Sequence, residues 1–354
     1  MLWQICTLKK AMKRLLNVLY VTTQGSYLRR EGETIVVEQD DEVKLRVPVH
    51  TLQGIVCFGQ ISISPPLMEL CTQRYVTISY LSRSGKFIAR VEGPVFGNVL
   101  LRREQYRRAD DDSLSSEIAR SVVIAKINNC RVVLQRFARE HPVINGKKDL
   151  INSTNHLSEL LRSLETVTNL ESIRGIEGEA ARNYFRVFNL LILTQKEDFF
   201  FKERNRRPPL DNVNAVLSFL YTLLAHDVRS ALETTGLDPA VGFLHRDRPG
   251  RPGLALDIME EFRPYLADRL VLSLINLKQI KGSGFIKAET GAVLMDDDTR
   301  KRVIVAYHER KQEKITHPFL NKKVSIGLLP YIQALLLSRY LRGDVDGYPP
   351  FLWR

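Results

Sequence analysis

Short runs rich in apolar and β-branched residues, separated by polar turn residues, fill much of the first hundred positions and read as strands. Asn17 to Thr22, Tyr27-Leu28-Arg29, Thr34-Ile35-Val36-Val37 and Val43-Lys44-Leu45-Arg46-Val47 read as strands, and Asp40-Asp41 supplies a hairpin turn between the last two. Ser64 followed by Pro65 predicts a short helix with proline in its first turn. A second hairpin pairs Val76 to Leu81 with Phe87 to Val91 across Ser82-Arg83-Ser84-Gly85-Lys86. These elements predict a small antiparallel, β-rich N-terminal domain over residues 12–98.

Near Gly93-Pro94 the character changes. The arginine-dense stretch 99–108, with Arg102, Arg103, Arg107 and Arg108, predicts a basic linker. Asp110-Asp111-Asp112-Ser113 then starts a helix, acidic residues suiting the positive end of its dipole. Ile118, Val122, Ala125, Val133 and Phe137 recur as one helix face, and Leu157, Leu160, Leu161 and Leu164 as another. Asp211 to Thr235 predicts a long helix with Gly236 just past its end. The fold class is therefore α+β: a β-rich N-terminal domain, a basic linker and a larger all-α domain over 109–354. In Met1 to Ala11 a short apolar piece precedes Lys9 and Lys10, the reverse of a secretory signal. The start-like Met12-Lys13-Arg14 follows, so residues 1–11 read as a disordered upstream extension.

The formal charge of +12 over 354 residues points to a polyanionic partner. Apolar runs such as Leu190-Leu191-Ile192-Leu193 are too short to span a bilayer, which makes an anionic membrane the weaker choice of partner, and the cytoplasm is the expected place. Cys6, Cys57, Cys71 and Cys130 form no zinc spacing and read as buried free thiols in a reducing compartment.

In a basic chain, carboxylates beside an imidazole suggest divalent-metal chemistry on nucleic-acid phosphate. Glu177, in Arg174-Gly175-Ile176-Glu177-Gly178, borders an apolar helix stripe among small residues that permit close approach. His245 lies in a loop from Phe243 to Gly253 with Arg246, Arg248 and Arg251, a phosphate clamp by composition. Asp257, Glu260 and Glu261 share one helix face, and Pro264 should kink or restart that helix at the carboxylates. Asn214, Ser218 and Tyr221 fall on one face of an otherwise apolar helix, placed to support metal ligands or to bond a phosphate. Each also has a plainer reading: an exposed helix carboxylate, a solvated loop histidine, an acidic first turn, a helix–helix network. Asp296-Asp297-Asp298 reads as a helix cap, and Tyr348 to Trp353 as a stiff apolar tail that packs on its own domain or on a partner.

In their order along the chain, Gly175-Ile176-Glu177-Gly178-Glu179-Ala180-Ala181, the Asn214 to Tyr221 helix, Gly242-Phe243-Leu244-His245 and Leu254 to Pro264 resemble the CRISPR-associated adaptation integrases, the Cas-one family. The likeness covers Met12 to Arg354, and Leu15 to Tyr20, Gly85-Lys86-Phe87 and the Tyr348 to Trp353 ending are similar to the type I-C form. The resemblance implies a β-rich N-terminal and an α-helical C-terminal domain, a homodimer, and a heterohexamer of two dimers about a small ferredoxin-like Cas-two protein. It leaves a Cas-four-type nuclease open as a further partner. Family metal ligands map onto Glu177, His245 and a carboxylate of the Asp257-x-x-Glu260 pair. Many relatives carry aspartate where Glu260 stands, so the direct ligand stays open among Asp257, Glu260 and Glu261, with Glu260 favoured. The implied function is insertion of captured DNA into a CRISPR repeat, by attack of a 3′-hydroxyl on the repeat phosphodiester with Mg²⁺ or Mn²⁺. Double-stranded DNA is both fragment and target, held at its backbone by Arg102, Arg103, Arg107, Arg108, Arg174, Arg246, Arg248 and Arg251. The rival readings are a non-catalytic nucleic-acid-binding protein and a free-standing metal nuclease.

Overall fold

The computed structural model describes residues 18–52, 54–83, 87–91, 93, 98–143 and 145–353. The expected 1–11 extension, the start at Met12, Leu15, Cys6, Gly85-Lys86 and Pro94 lie outside the described residues. The chain divides into two compact units, Met1–Gly97 with Lys311–Glu313 and Ser325–Leu328, and Asn98–Arg310 with Lys314–Val324 and Leu329–Arg354.

The first unit holds two four-stranded sheets, and both are mixed rather than antiparallel as the sequence predicted. One has β1 (Val18–Val21), β5 (Gly54–Phe58), β7 (Thr77–Leu81) and β8 (Phe87–Val91) in that order. Here β5 runs parallel to both β1 and β7, and only β7 and β8 form the expected antiparallel pair. Every residue of β5 is buried, as suits an inner parallel strand covered on both faces. The other sheet orders β4 (Glu42–Pro48), β3 (Thr34–Gln39), β2 (Tyr27–Glu31) and β6 (Ser62–Ile63). Asp40 and Asp41 both take positive φ, 51° and 62°, which closes the β3–β4 hairpin with the twist its strands need. Helix α1 (Pro65–Gln73) begins as predicted, with the Ser64 side chain accepting from the Leu67 N–H. Leu28, Ile35, Ile55, Leu67, Leu70 and Ile78 are the centre of this unit's core.

In the second unit the arginine-rich stretch expected as a linker is a helix, α2 (Val99–Asp110). It buries Leu101 and Gln105, one turn apart, and the Gln105 amide donates to the Asp238 and Val241 carbonyls at 2.8 Å each. Asp111 caps α3 (Asp112–Glu140), whose buried side chains line most of its length. Packed along α3 are α4 (Lys147–Ser163), α5 (Leu170–Arg186) and α7 (Gly253–Glu260). Asp211 caps α6 (Asn212–Thr234), and Gly236 follows with φ of 85°. Pro264 does not end the helical path after α7. The path widens into a π-helical stretch, Arg263–Asp268, and resumes as α8 (Arg269–Asn276). Asp296 caps α9 (Asp297–Gln312) through the Thr299 N–H, and α10 (Leu329–Leu341) completes the set. Two small two-stranded sheets, β9 (Phe285–Lys287) with β10 (Val293–Met295) and β11 (Lys314–Thr316) with β12 (Lys323–Ser325), qualify the all-α expectation. The three described cysteines are buried and unbridged, and burial pushes the Cys57 and Cys71 thiols up to about 12.

Candidate active site

Asn169 caps α5, and Ile173, Ala180 and Tyr184 turn its apolar stripe inward. Glu177 sits at the stripe's border with its side chain 26% exposed, and its carboxylate is ion-paired with the Lys126 ammonium of α3. A β-carbon at Gly175 or Gly178 would meet nothing within 4 Å. Gly175 and Gly178 therefore border open space, while Ala180 on the same helix is buried.

His245 is held by a single carboxylate. Asp257 accepts from the backbone N–H groups of Phe243, Leu244 and His245 at 2.6, 2.9 and 3.0 Å, and lies 2.6 Å from His245 Nδ1. A carboxylate here only accepts, so Nδ1 carries the hydrogen and Nε2 is left to face other groups. Gly242 is what allows the wrap, because a β-carbon there would stand 2.7 Å from Asp257 Oδ2 and 2.7 Å from the Gly253 carbonyl carbon. Asp257, expected among the catalytic carboxylates, is thus committed to positioning the loop and its imidazole.

Glu260, one turn later on α7, is 2% exposed and lies 2.7 Å from Lys126 Nζ and 2.7 Å from Arg263 Nη1. Burial alone would raise its carboxyl, but Arg263 and Lys126 outweigh it, His245 adds to them, and the group is held down at about 2. Burial likewise works against the Lys126 ammonium, and Glu260 and Glu177 together raise it above the ordinary lysine range. Glu260 Oε2 is buried, and the Lys126 ammonium stands 2.7 Å from it. Glu261 points elsewhere: Tyr348, Gln333 and the Phe351 N–H bond its carboxylate. Among the described residues no three His, Cys, Asp or Glu side chains stand close enough to hold an ion as they are placed, Lys126 occupying the point where the two glutamates meet.

The profile of the family described as CRISPR associated protein Cas1 matches residues 19–309. The chain belongs to the Cas1 family. It is 55% identical to the CRISPR-associated endonuclease Cas1 1 of Chlorobaculum tepidum, over 97% of this chain and 100% of that relative. A Cas4 exonuclease/Cas1 endonuclease fusion of Geobacter sulfurreducens is 36% identical over 95% of this chain and 60% of its own length. The solved Cas1 protein of Thermotoga maritima overlays with a TM-score of 0.80 at 25% identity, covering 96% of this chain and 100% of that one. Two further structures share the fold. A casposase bound to its integration product has a TM-score of 0.82 at 22% identity over 96% of this chain and 94% of that one. A chain of a Cas6-RT-Cas1–Cas2 complex has 0.81 at 24%, over 95% of this chain and 36% of that one.

In this Cas1-family chain, Asn214, Ser218 and Tyr221 build a seat for Arg204. The guanidinium donates to Asn214 Oδ1 at 2.7 Å and Ser218 Oγ at 3.0 Å, and lies 5.2 Å from the Tyr221 ring centre. Tyr221 in turn donates to Asp268 at 2.6 Å. Burial pushes the Asp268 carboxyl up to about 6, against the pull of Tyr221, Tyr184, Arg263 and Arg204. Beside them is a cavity of about 320 Å³ lined by Lys126, Arg204, Arg206, Tyr221, Arg263 and Asp268, among others.

The remaining arginines separate into two kinds. Arg174 donates to the Leu244 carbonyl at 2.6 Å and pairs with Glu171, fastening α5 to the His245 loop. Arg246 pairs with the same Glu171 at 2.7 Å. Arg102 donates to the Gly236 carbonyl, and Arg108 pairs with Glu104 at 2.9 Å and covers the Tyr340 ring. Arg103, Arg107 and Arg248 are exposed, and Arg251 is half-buried.

Sequence reasoning missed Lys126, Arg263, Arg204, Arg206 and Asp268. For Lys126 a signal was present: it lies four residues from both Val122 and Cys130, within a buried helix stripe where a lysine requires an anion.

Proposed function

We propose that this site performs divalent-metal-dependent phosphodiester chemistry on DNA, inserting captured fragments into a CRISPR repeat array. The observation that carries the reading is the convergence of Glu177 and Glu260 on one buried positive charge, with the imidazole that Asp257 fixes acting on Glu260 through its charge. Glu260 Oε2 is buried and already has a cation 2.7 Å away, the Lys126 ammonium, so positive charge is what this oxygen accepts. Two carboxylates and one imidazole Nε2 suit Mn²⁺, while Mg²⁺ prefers oxygen ligands and retained water. Glu177, His245 and Glu260 would hold the ion, which supplies charge stabilisation at the phosphate undergoing displacement. The chain's own groups do the rest: Asp257 keeps Nε2 aimed, and Arg246, Arg248 and Arg251 hold the DNA backbone. In the joining step the fragment's 3′-oxygen bonds to phosphorus, the bond to the departing 3′-oxygen breaks, and the proton lost by one hydroxyl is regained by the other.

The same reading takes double-stranded DNA as fragment and target, a homodimer as the active form, and Cas2 as the small partner that organises a heterohexamer in the cytoplasm. The Cas1–Cas2 complex that shares this fold supports the Cas2 assignment, and the Cas4/Cas1 fusion supports a Cas4-type nuclease as a further partner. Among the described residues no helix is long and apolar enough to cross a membrane.

The test uses the purified chain with Mn²⁺, a short DNA fragment and a supercoiled plasmid bearing the repeat. Joined product is expected, and Glu177→Ala should lower joining by about a hundredfold or more while duplex affinity stays within about twofold. The curated relatives are named endonucleases, which favours hydrolysis as the second reading, with water in place of the 3′-hydroxyl. Cleavage without joining would establish that reading, and binding with neither reaction would leave a non-catalytic protein.

A further inference from the structure

We propose that Lys126 is a resident stand-in for the divalent ion: its ammonium holds Glu177 and Glu260 together until the ion enters, then turns into the adjoining cavity to receive a DNA phosphate. The proposal deepens the metal reading above and rests on it.

Three observations lead there. Lys126 is placed deep in α3 with its side chain 9% exposed, and its ammonium reaches Glu177 and Glu260 at once. With Arg263 also on Glu260, two carboxylates face two cations, so the buried cluster is balanced with nothing added. A divalent ion brought to the same two carboxylates would leave an excess of two positive charges in a buried setting. Cations sharing one carboxylate oxygen repel strongly at low dielectric, so the ammonium cannot remain 2.7 Å from Glu260 Oε2. The way out is already built. Lys126 also lines the 320 Å³ cavity, whose lining includes Arg204, Arg206 and Arg263 against Asp268 as its one carboxylate. That lining suits a phosphodiester, and a lysine's flexible four-carbon stem lets the ammonium change partners without moving the helix. Ion entry and phosphate capture are then coupled through one side chain, each favouring the other.

The test measures Mn²⁺ binding to the full chain by the electron paramagnetic resonance of the unbound ion, for the native chain, Lys126→Met and Glu177→Ala. Alongside it, acetylation of Lys126 in the native chain is followed by mass spectrometry with and without Mn²⁺, and again with a short DNA duplex carrying a 3′ overhang. Removing the competing ammonium should tighten Mn²⁺ by about tenfold, and Glu177→Ala should weaken it. Lys126 should be protected without the ion, become severalfold more reactive with it, and be protected again by the DNA. Equal or weaker Mn²⁺ binding in Lys126→Met overturns the proposal, as does labelling indifferent to Mn²⁺. If circular dichroism shows that Lys126→Met does not fold, the labelling of the native chain decides alone. A native chain that binds no Mn²⁺ at all removes the metal reading itself, an outcome distinct from an ion bound equally by native and Lys126→Met protein.

Discussion

Asp257 shows how far residue type alone can carry a site assignment. Its two oxygens already receive three backbone N–H groups and the His245 ring, so little lone-pair capacity remains for an ion. Its effect on chemistry passes through His245. Asp257→Asn keeps the shape but turns an amide N–H₂ toward groups that donate, so the imidazole loses its fixed direction. We expect Mn²⁺ affinity and joining each to fall by about 10- to 100-fold, with duplex affinity unchanged and the melting temperature lowered. Joining at the native level with unchanged Mn²⁺ affinity would show that His245 needs no such support. The apolar border at Glu177 and Glu260 and the arginine-rich loop around His245 are features that sequence displays, and the family resemblance joined the three residues into one proposed ligand set. The partners that set their charge state were not legible, since Lys126 and Arg263 meet Glu260 from different segments and only the folded chain brings them together.

At the scale of elements, α7 and the π-helical stretch after it separate two adjacent carboxylates into different roles. Glu260 turns to the cations, while Glu261 seats the C-terminal segment. Its carboxylate receives Tyr348 Oη at 2.5 Å, Gln333 Nε2 at 3.0 Å and the Phe351 N–H at 2.7 Å. Asn129 of α3 closes the latch by donating to the Glu261 and Phe351 carbonyls and accepting from the Trp353 N–H. The tail therefore packs on its own unit, one of the two fates its sequence allowed. Burial pushes the Glu261 carboxyl up to about 7, more than those three donors pull it down, against an ordinary value of 4.5. A raised acid keeps its proton in the folded state while the unfolded chain loses it, so folding weakens as pH rises between those values. Relative to Glu261→Gln, the native chain should lose about 2–3 kcal/mol between pH 4.5 and pH 7 and then level off. Urea titrations of both proteins across that range read the difference directly, and a flat or rising difference would mean Glu261 is charged in its seat. The helix over Val99–Asp110 escaped sequence reasoning because Gln105, buried and bonded to carbonyls, stands where an apolar residue would have completed the stripe. The parallel pairing of β1, β5 and β7 escaped for another reason. Turn chemistry reports strands joined by hairpins and is silent on strands brought together by crossovers.

At the scale of the whole molecule, the charge of +12 is the property that sequence states outright, yet the folded chain decides which arginines are paired with carboxylates and which are exposed. The grouping of Lys311–Glu313 and Ser325–Leu328 with the first unit has no counterpart in local pattern, because it depends on contacts between segments far apart in the chain. Charge is more informative once pairs are known. Arg246 and Arg174 both hold Glu171, whose carboxyl is lowered first by Arg246 and then by Arg174, so a phosphate arriving at Arg246 must displace an existing partner. Arg248, three residues from Arg251 in the same loop, is exposed to solvent. A phosphate contact at Arg248 releases counterions in full, whereas at Arg246 the gain is offset by the broken pair with Glu171. Duplex affinity measured from low to moderate salt should therefore respond unequally. Arg248→Ala is expected to reduce the slope of log affinity against log salt by about 0.9, the value of one phosphate contact, and Arg246→Ala by clearly less. The two variants should leave Mn²⁺ binding at the native level, since neither side chain touches Glu177, His245 or Glu260. An unchanged slope in both would take this loop off the DNA and leave its arginines a structural task, with the cavity beside Lys126 and the exposed Arg103 and Arg107 as places left for the backbone to bind.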